Sequence, residues 1–229
     1  MSTRQDFLAA MEQLVGGDLP LAEADRILAL AMAVKEYSRH RPRVVVEDET
    51  GAGAFDYDLT LLASWTDGFS NIKTVEYPVD DTNETPDILQ DDEWTIYEKP
   101  AGKFLRFLED SPVATESIRI TYTALHTVTD VASTVFAADE EAMQCLAASH
   151  YCEMLATYFA QNQDSAIAAD SVEHTSKARD YAARAKSYRK LYSDYMGVSG
   201  GALPASVTSD QDMLASWQAD RLTHKQKYR

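Results

Sequence analysis

The sequence predicts an α+β protein: a helical core of two N-terminal helices and a long helical hairpin, with an inserted small antiparallel β domain and an extended C-terminal arm. Three observations predict it. Apolar residues recur at helical spacing up to about residue 40 and again from about 138 to 196. Between them, hydrophobic residues fall in short β-branched or aromatic runs separated by Gly, Pro, Asn and Asp. The last thirty or so residues open with SGGALPASVTSD, a linker by composition. The predicted zones are 1–42, the N-terminal helices; 43–129, the inserted β-rich domain; 130–197, the helical hairpin; and 198–229, the linker and arm.

In the first zone Phe7, Leu8, Met11, Leu14 and Val15 repeat every three to four residues, and Gly16-Gly17 ends that helix. Asp18 is a candidate N-cap for the second helix, with Pro20 near its first turn. Leu21, Ala24, Ile27, Leu28, Ala31, Val34 and Tyr37 form one broad apolar face, and Pro42 stops the helix. The second zone holds RVVVE, FDYDLTL, SNIKTVEYP, EWTIYE, KFLRFL and SIRITYTA, about six strands of an antiparallel unit. Alternation puts Ile118, Ile120 and Tyr122 on one face and Arg119 and Thr121 on the other. In EWTIYE, Trp94, Ile96 and Glu98 alternate with Thr95 and Tyr97. Gly51-Ala52-Gly53 reads as a hairpin turn between strands.

The third zone predicts a helix from about Ala138 to Gln163, with Asp139, Glu140 and Glu141 in its first turn, where the helix dipole favours acids. Its narrow face of small residues is Ala142, Leu146, Ser149, Cys152, Ala156 and Phe159. A second helix follows from about Val172 to Met196, striped by Ala178, Tyr181, Ala185, Tyr188, Tyr192 and Tyr195 and stopped by Gly197. Its tyrosines Tyr181, Tyr188, Tyr192 and Tyr195 are candidates for core or subunit packing. In the fourth zone DMLASWQADRL is a short amphipathic segment. Its apolar Met213, Leu214 and Trp217, with the polar Arg221, Lys225, Lys227, Tyr228 and Arg229, are candidate docking residues. Apolar anchors with few local partners suit an interface.

Charge narrows the function. The chain has 229 residues and a net charge of −16, which disfavours nonspecific binding to nucleic acid. From Glu47 to Glu93 Lys73 is the lone base, whereas RLTHKQKYR at the end carries only positive side-chain charge. No apolar run reaches the roughly 20 residues of a bilayer span, and MSTRQDFLAAMEQLVGG lacks a signal-peptide apolar core. The expectation is no membrane association, and a protein kept in the cytosol or packed into a particle assembled there.

No catalytic or metal constellation emerges. Cys145 and Cys152, seven residues apart on one helix, are about 10 Å apart along its axis, too far for a disulfide. His150 lies about 140° away from their shared face, so a zinc trio is disfavoured. His40, His126, His174 and His224 complete the histidines without HExxH or zinc-finger spacing. Asp81, Asn83, Thr85 and Asp92 approximate a calcium loop, but Pro86 stands where its glycine is needed. GxSxG, GxxxxGK[ST] and GxGxxG are absent. The expectation is a protein without catalysis, cofactor or metal.

The order helix pair, β insert, long helix pair, extended tail resembles the head–tail connector, or adaptor (neck), proteins of long-tailed bacteriophages and gene-transfer agents. The resemblance rests on ILALAMAVKEYSRHRPR, WTDGFSNIKTVEYP, EWTIYEKPAGKFLRF, SIRITYTALHTV and the run from Asp139 to Gly197, over about residues 20–197. Smaller family members are nearly all helical, and the β insert departs from them. The resemblance implies a virion protein assembled in the host cytoplasm: a twelve-subunit ring of neighbouring copies beneath the portal protein. It further implies a C-terminal tail inserted into portal crevices, a tail, stopper or terminator protein on the other side, and DNA passing through without specific binding. The alternative from the residues is a β-domain binding module for a host surface or carbohydrate, with Tyr57, Trp65, Phe69, Tyr77, Trp94 and Tyr97 as stacking residues.

Overall fold

Among the described residues six strands lie between two pairs of helices. The computed structural model describes residues 2–16, 20–82, 85–161 and 174–198. Helix α1 (Arg4–Val15) begins at a capping box in which the Asp6 carboxylate accepts from the Thr3 N–H at 2.7 Å. It buries Phe7, Leu8, Met11 and Val15, while Leu14 stays 37% exposed. Helix α2 (Glu23–His40) starts later than its sequence suggests. Its N-cap is Ala22, whose N–H reaches the Asp25 carboxylate, and Asp18 lies outside the described residues.

The buried side of α2 is also rotated from the predicted stripe. Ala29, Leu30, Ala33, Tyr37 and Ser38 face inward, whereas Ala24, Leu28 and Ala31 are exposed. Both sides of this helix are apolar, so periodicity alone does not choose between them.

Helix α3 (Glu140–Gln161) corrects the prediction of a single narrow face. Every residue from Cys145 to Cys152 is buried, as are Ala142, Met143 and Leu155. It is the central helix, packed by α1, α2 and α4 (His174–Met196). Small side chains permit this close approach, and the Ser149 hydroxyl donates to the Ala185 carbonyl across the α3–α4 contact at 3.0 Å. Gly197, at φ 67°, closes α4, and the Val198 N–H returns to the Ser193 carbonyl, a Schellman ending.

The strands form two three-stranded antiparallel sheets. The first has the order β1 (Arg43–Thr50), β6 (Ser117–Ala124), β3 (Ile72–Glu76); the second, β2 (Asp56–Asp58), β5 (Gly102–Phe107), β4 (Trp94–Lys99). Arg43 pairs with Ala124, so the β excursion leaves and rejoins the helices through adjacent strand ends. Ile118, Ile120 and Tyr122 face inward as their alternation predicts, onto Leu59, Leu62, Val75, Leu105 and Phe107.

Two sequence readings need correction here. FDYDLTL is a three-residue strand followed by a 3₁₀ turn over Leu59–Leu61, and Gly51-Ala52-Gly53 is not a hairpin turn. β1 pairs with β6, not β2, so the glycines carry the chain from one sheet to the other. Gly51 presses on the 112–116 segment, and a Cβ there would stand 2.2 Å from the Val113 carbonyl oxygen.

The junction also lies nearer the strands than residue 129. Val128 packs on the helical core, and the Arg4 N–H donates to the Thr129 carbonyl at 2.9 Å. The stretch after Ala124 therefore belongs with the helices. His126 anchors it: its N–H donates to the Ser38 hydroxyl, and its ring sits between the carbonyls of Thr134 (2.7 Å) and Arg41 (2.9 Å).

Candidate interaction surface

Among the described residues, the cysteines and the histidines His40, His126 and His150 are engaged in packing or hydrogen bonds within the fold. Cys145 and Cys152 are free and buried, and burial pushes the Cys152 thiol up to about 11, away from a nucleophilic thiolate. No group of three His, Cys, Asp or Glu among the described residues is arranged to hold a metal ion. Asp81 of the calcium-like loop accepts instead from Arg119 at 2.9 Å, and Asn83 lies outside the described residues. Among the described residues no helix is long and apolar enough to cross a membrane.

Where α2, α3 and α4 meet, a charged network ties the helices. Arg189 reaches both oxygens of Glu36 at 2.8 Å, and His150 Nε2 donates to Glu36 at 3.1 Å. Arg189 also meets Glu153 at 3.3 Å. The hydrogen bond from His150, with the Arg189 guanidinium beside it, holds the Glu36 carboxyl down at about 2. Sequence reading missed this set, because its members lie on three helices far apart in the chain. A second buried pairing joins the Tyr37 hydroxyl to Asp139 at 2.7 Å, with Arg41 at 2.6 and 2.8 Å from the same carboxylate.

The tyrosine stripe divides. Tyr192 is fully buried, its hydroxyl 2.6 Å from His40 Nδ1, so it packs inside its own chain and is not a contact between subunits. Tyr181 and Tyr188 also pack against this core, and the Tyr188 hydroxyl donates to the Leu14 carbonyl at 2.6 Å. Tyr195 is the exception at 54% exposed, with its hydroxyl on Glu141. The docking residues Met213, Leu214, Trp217, Arg221, Lys225, Lys227, Tyr228 and Arg229 lie outside the described residues.

The aromatics that would stack on a sugar mostly face inward. Tyr57, Trp65, Tyr77 and Trp94 pack on the core of the insert, and Tyr57 and Tyr77 each meet Phe107 edge-on. Phe69 is half-buried, and exposed Tyr97 has the Arg106 guanidinium 4.6 Å from its ring centre. No open aromatic platform results.

Two concavities flank α2 among the described residues. An apolar groove of about 390 Å³ runs between Ile27, Leu30 and Val34 of α2 and Leu125 and Val128 of the returning chain. A polar one of about 440 Å³ is lined by Glu36, Arg39, His40, Arg189, Tyr192 and Val198, so the chain leaves α4 beside the end of α2.

Charge is segregated more sharply than composition suggests. Residues 43–129 hold eighteen Asp and Glu against six Lys and Arg, whereas α4 holds six Lys and Arg against two Asp. On α4, Arg179, Lys186 and Lys190 are exposed and fall within about 40° of one another at 3.6 residues per turn. They point away from the buried Ala185 and Tyr192. No family model matches the chain, and no curated protein matches it.

Proposed function

We propose that this chain is a structural virion subunit without catalytic activity: a head–tail adaptor that joins the portal protein to the tail or its stopper or terminator. Copies stand side by side in a ring, twelve by the family resemblance, and DNA passes through without specific contacts. The observation that carries the reading is topological. The first and last helix pairs build one core, a β excursion leaves and returns through a single paired stem, and the C-terminal segment departs from the end of that core. Such a subunit offers a rigid body for packing and a separate segment for docking. The inward packing of Tyr57, Trp65, Tyr77 and Trp94 favours this reading over the carbohydrate-binding alternative.

In this reading residues 199–229 are the docking arm, with Met213, Leu214 and Trp217 as anchors and Arg221, Lys225, Lys227, Tyr228 and Arg229 steering it to an acidic surface. Deleting Asp210–Arg229 is expected to leave the melting temperature nearly unchanged and to abolish attachment to the portal. Trp217→Ala is expected to weaken attachment by about 2 kcal/mol per arm. Cosedimentation with portal checks both, and undiminished binding of the truncated chain refutes the docking role.

A further inference from the structure

We propose that the outward cationic stripe of α4, Arg179, Lys186 and Lys190, is one half of a lateral contact between copies of this chain. Its counterpart is the acidic corner of the neighbour's β insert, Asp91, Asp92, Glu93, Glu109 and Asp110. The inference rests on the side-by-side arrangement proposed above and specifies which surfaces meet.

The stripe is a directed feature. Its three cations span about 16 Å at 1.5 Å per residue. None forms an ion pair with a described residue, although Arg189 on the same helix is held by Glu36 and Glu153. A row of solvated cations opposite a buried face contributes nothing visible to the fold of its own subunit. In a chain of net charge −16 it is also where another copy meets the least repulsion.

The corner is assembled from two segments. The Leu108 N–H donates to the Glu93 carbonyl at 2.8 Å, which brings Glu109 and Asp110 beside the start of β4. Glu93, Glu109 and Asp110 line one small hollow, next to exposed Asp91 and Asp92. No cation among the described residues pairs with any of the five, whereas Asp48, Asp56, Asp67 and Asp81 in the same insert are paired with Arg119, Lys99, Lys103 and Arg119.

Opposite charges on different surfaces of one chain favour a head-to-tail contact, which can repeat around a ring, over a two-fold one that sets like against like. Duplex nucleic acid is the competing occupant of a cationic stripe. Three cations on a strongly acidic chain suit a carboxylate surface better than a phosphate backbone.

The test uses the full chain at high concentration, as a mixture of ¹⁴N and ¹⁵N protein treated with a carbodiimide that joins amines to carboxylates in contact. Mass spectrometry is expected to find mixed-isotope links from Lys186 or Lys190 to residues 91–93 or 109–110. The exposed triple substitution R179E/K186E/K190E should reduce intermolecular linking at least tenfold, read at the remaining lysines. D91K/D92K/E109K/D110K should reduce it similarly, and mixing the two variants should restore it. Links confined to single chains, linking unchanged by charge reversal, or no rescue on mixing would overturn the proposal. So would a gel shift of duplex DNA that the triple substitution abolishes in the absence of links. Portal cosedimentation of the unaltered chain reads the adaptor assignment separately, so failure of one is distinguishable from failure of the other.

Discussion

The helical core and the β insert hold themselves together by different means. The core is organised around one helix buried on almost every side, and its polar links, Glu36–Arg189–His150 and Tyr37–Asp139–Arg41, join elements distant in sequence. The insert packs alternate aliphatic and aromatic residues of two small sheets against each other and sets ion pairs such as Arg119–Asp48 and Lys99–Asp56 around that layer. Fully buried Tyr122 adds a polar tie to the Glu47 carboxylate. Burial and the Glu47 carboxylate push the Tyr122 hydroxyl up to about 12. Charged links between distant helices tolerate few changes, whereas a region held by an apolar layer can carry any surface charge that function requires. The uneven charge of this chain follows that division.

The comparison breaks most visibly at the centres of the two regions. Leu146→Ala in α3 is expected to cost about 4 kcal/mol, and Leu105→Ala in β5 about 3 kcal/mol, since both side chains are fully buried. Circular dichroism at 222 nm follows the helices. Trp65 and Trp94 both lie in the insert, so tryptophan emission with the arm removed follows that region. Leu105→Ala should shift the emission transition below the helical one. Coincident transitions in that variant would show that both regions unfold as one unit.

Acid should act on the core. Glu36 falls from its ordinary 4.5 to about 2 on folding, so its stabilisation is present above pH 4.5 and is lost as pH falls toward 2. That shift corresponds to roughly 3 kcal/mol. Glu36→Gln should flatten the pH dependence of helical melting below pH 4.5 and leave the insert's emission transition unaffected; an unchanged acid limb would remove the network from the account.

Gly51→Ala is expected to destabilise the insert by about 2 kcal/mol, because the added methyl meets a backbone carbonyl that cannot move independently. An unchanged emission midpoint would show that the 112–116 segment yields freely. The smallest contrast lies within the tyrosine stripe. Tyr192→Phe leaves the partly buried His40 nitrogen without its Tyr192 partner and should cost about 1 kcal/mol. Tyr195→Phe removes only an exposed hydrogen bond and should change stability by less than about 0.5 kcal/mol, measured by urea denaturation.

Period and punctuation alone determined the α+β class, the order of the elements, the inward set Ile118, Ile120 and Tyr122, and the helix stops at Gly16 and Gly197. These depend on local geometry: alternation along a strand, repetition along a helix, a positive φ that glycine adopts freely. Burial of the two cysteines was legible for the same reason. What only the tertiary structure decided was which of two apolar sides of α2 turns inward, that α3 lies at the centre and not along one face, and that β1 pairs with β6 across the whole insert. It also decided that Tyr192 belongs to its own core, and that Glu36, His150 and Arg189 converge. Each of these depends on residues far apart in the chain being brought together. A helix with apolar residues all round, or a carboxylate that several cations could reach, has no preferred partner until the other elements take their places.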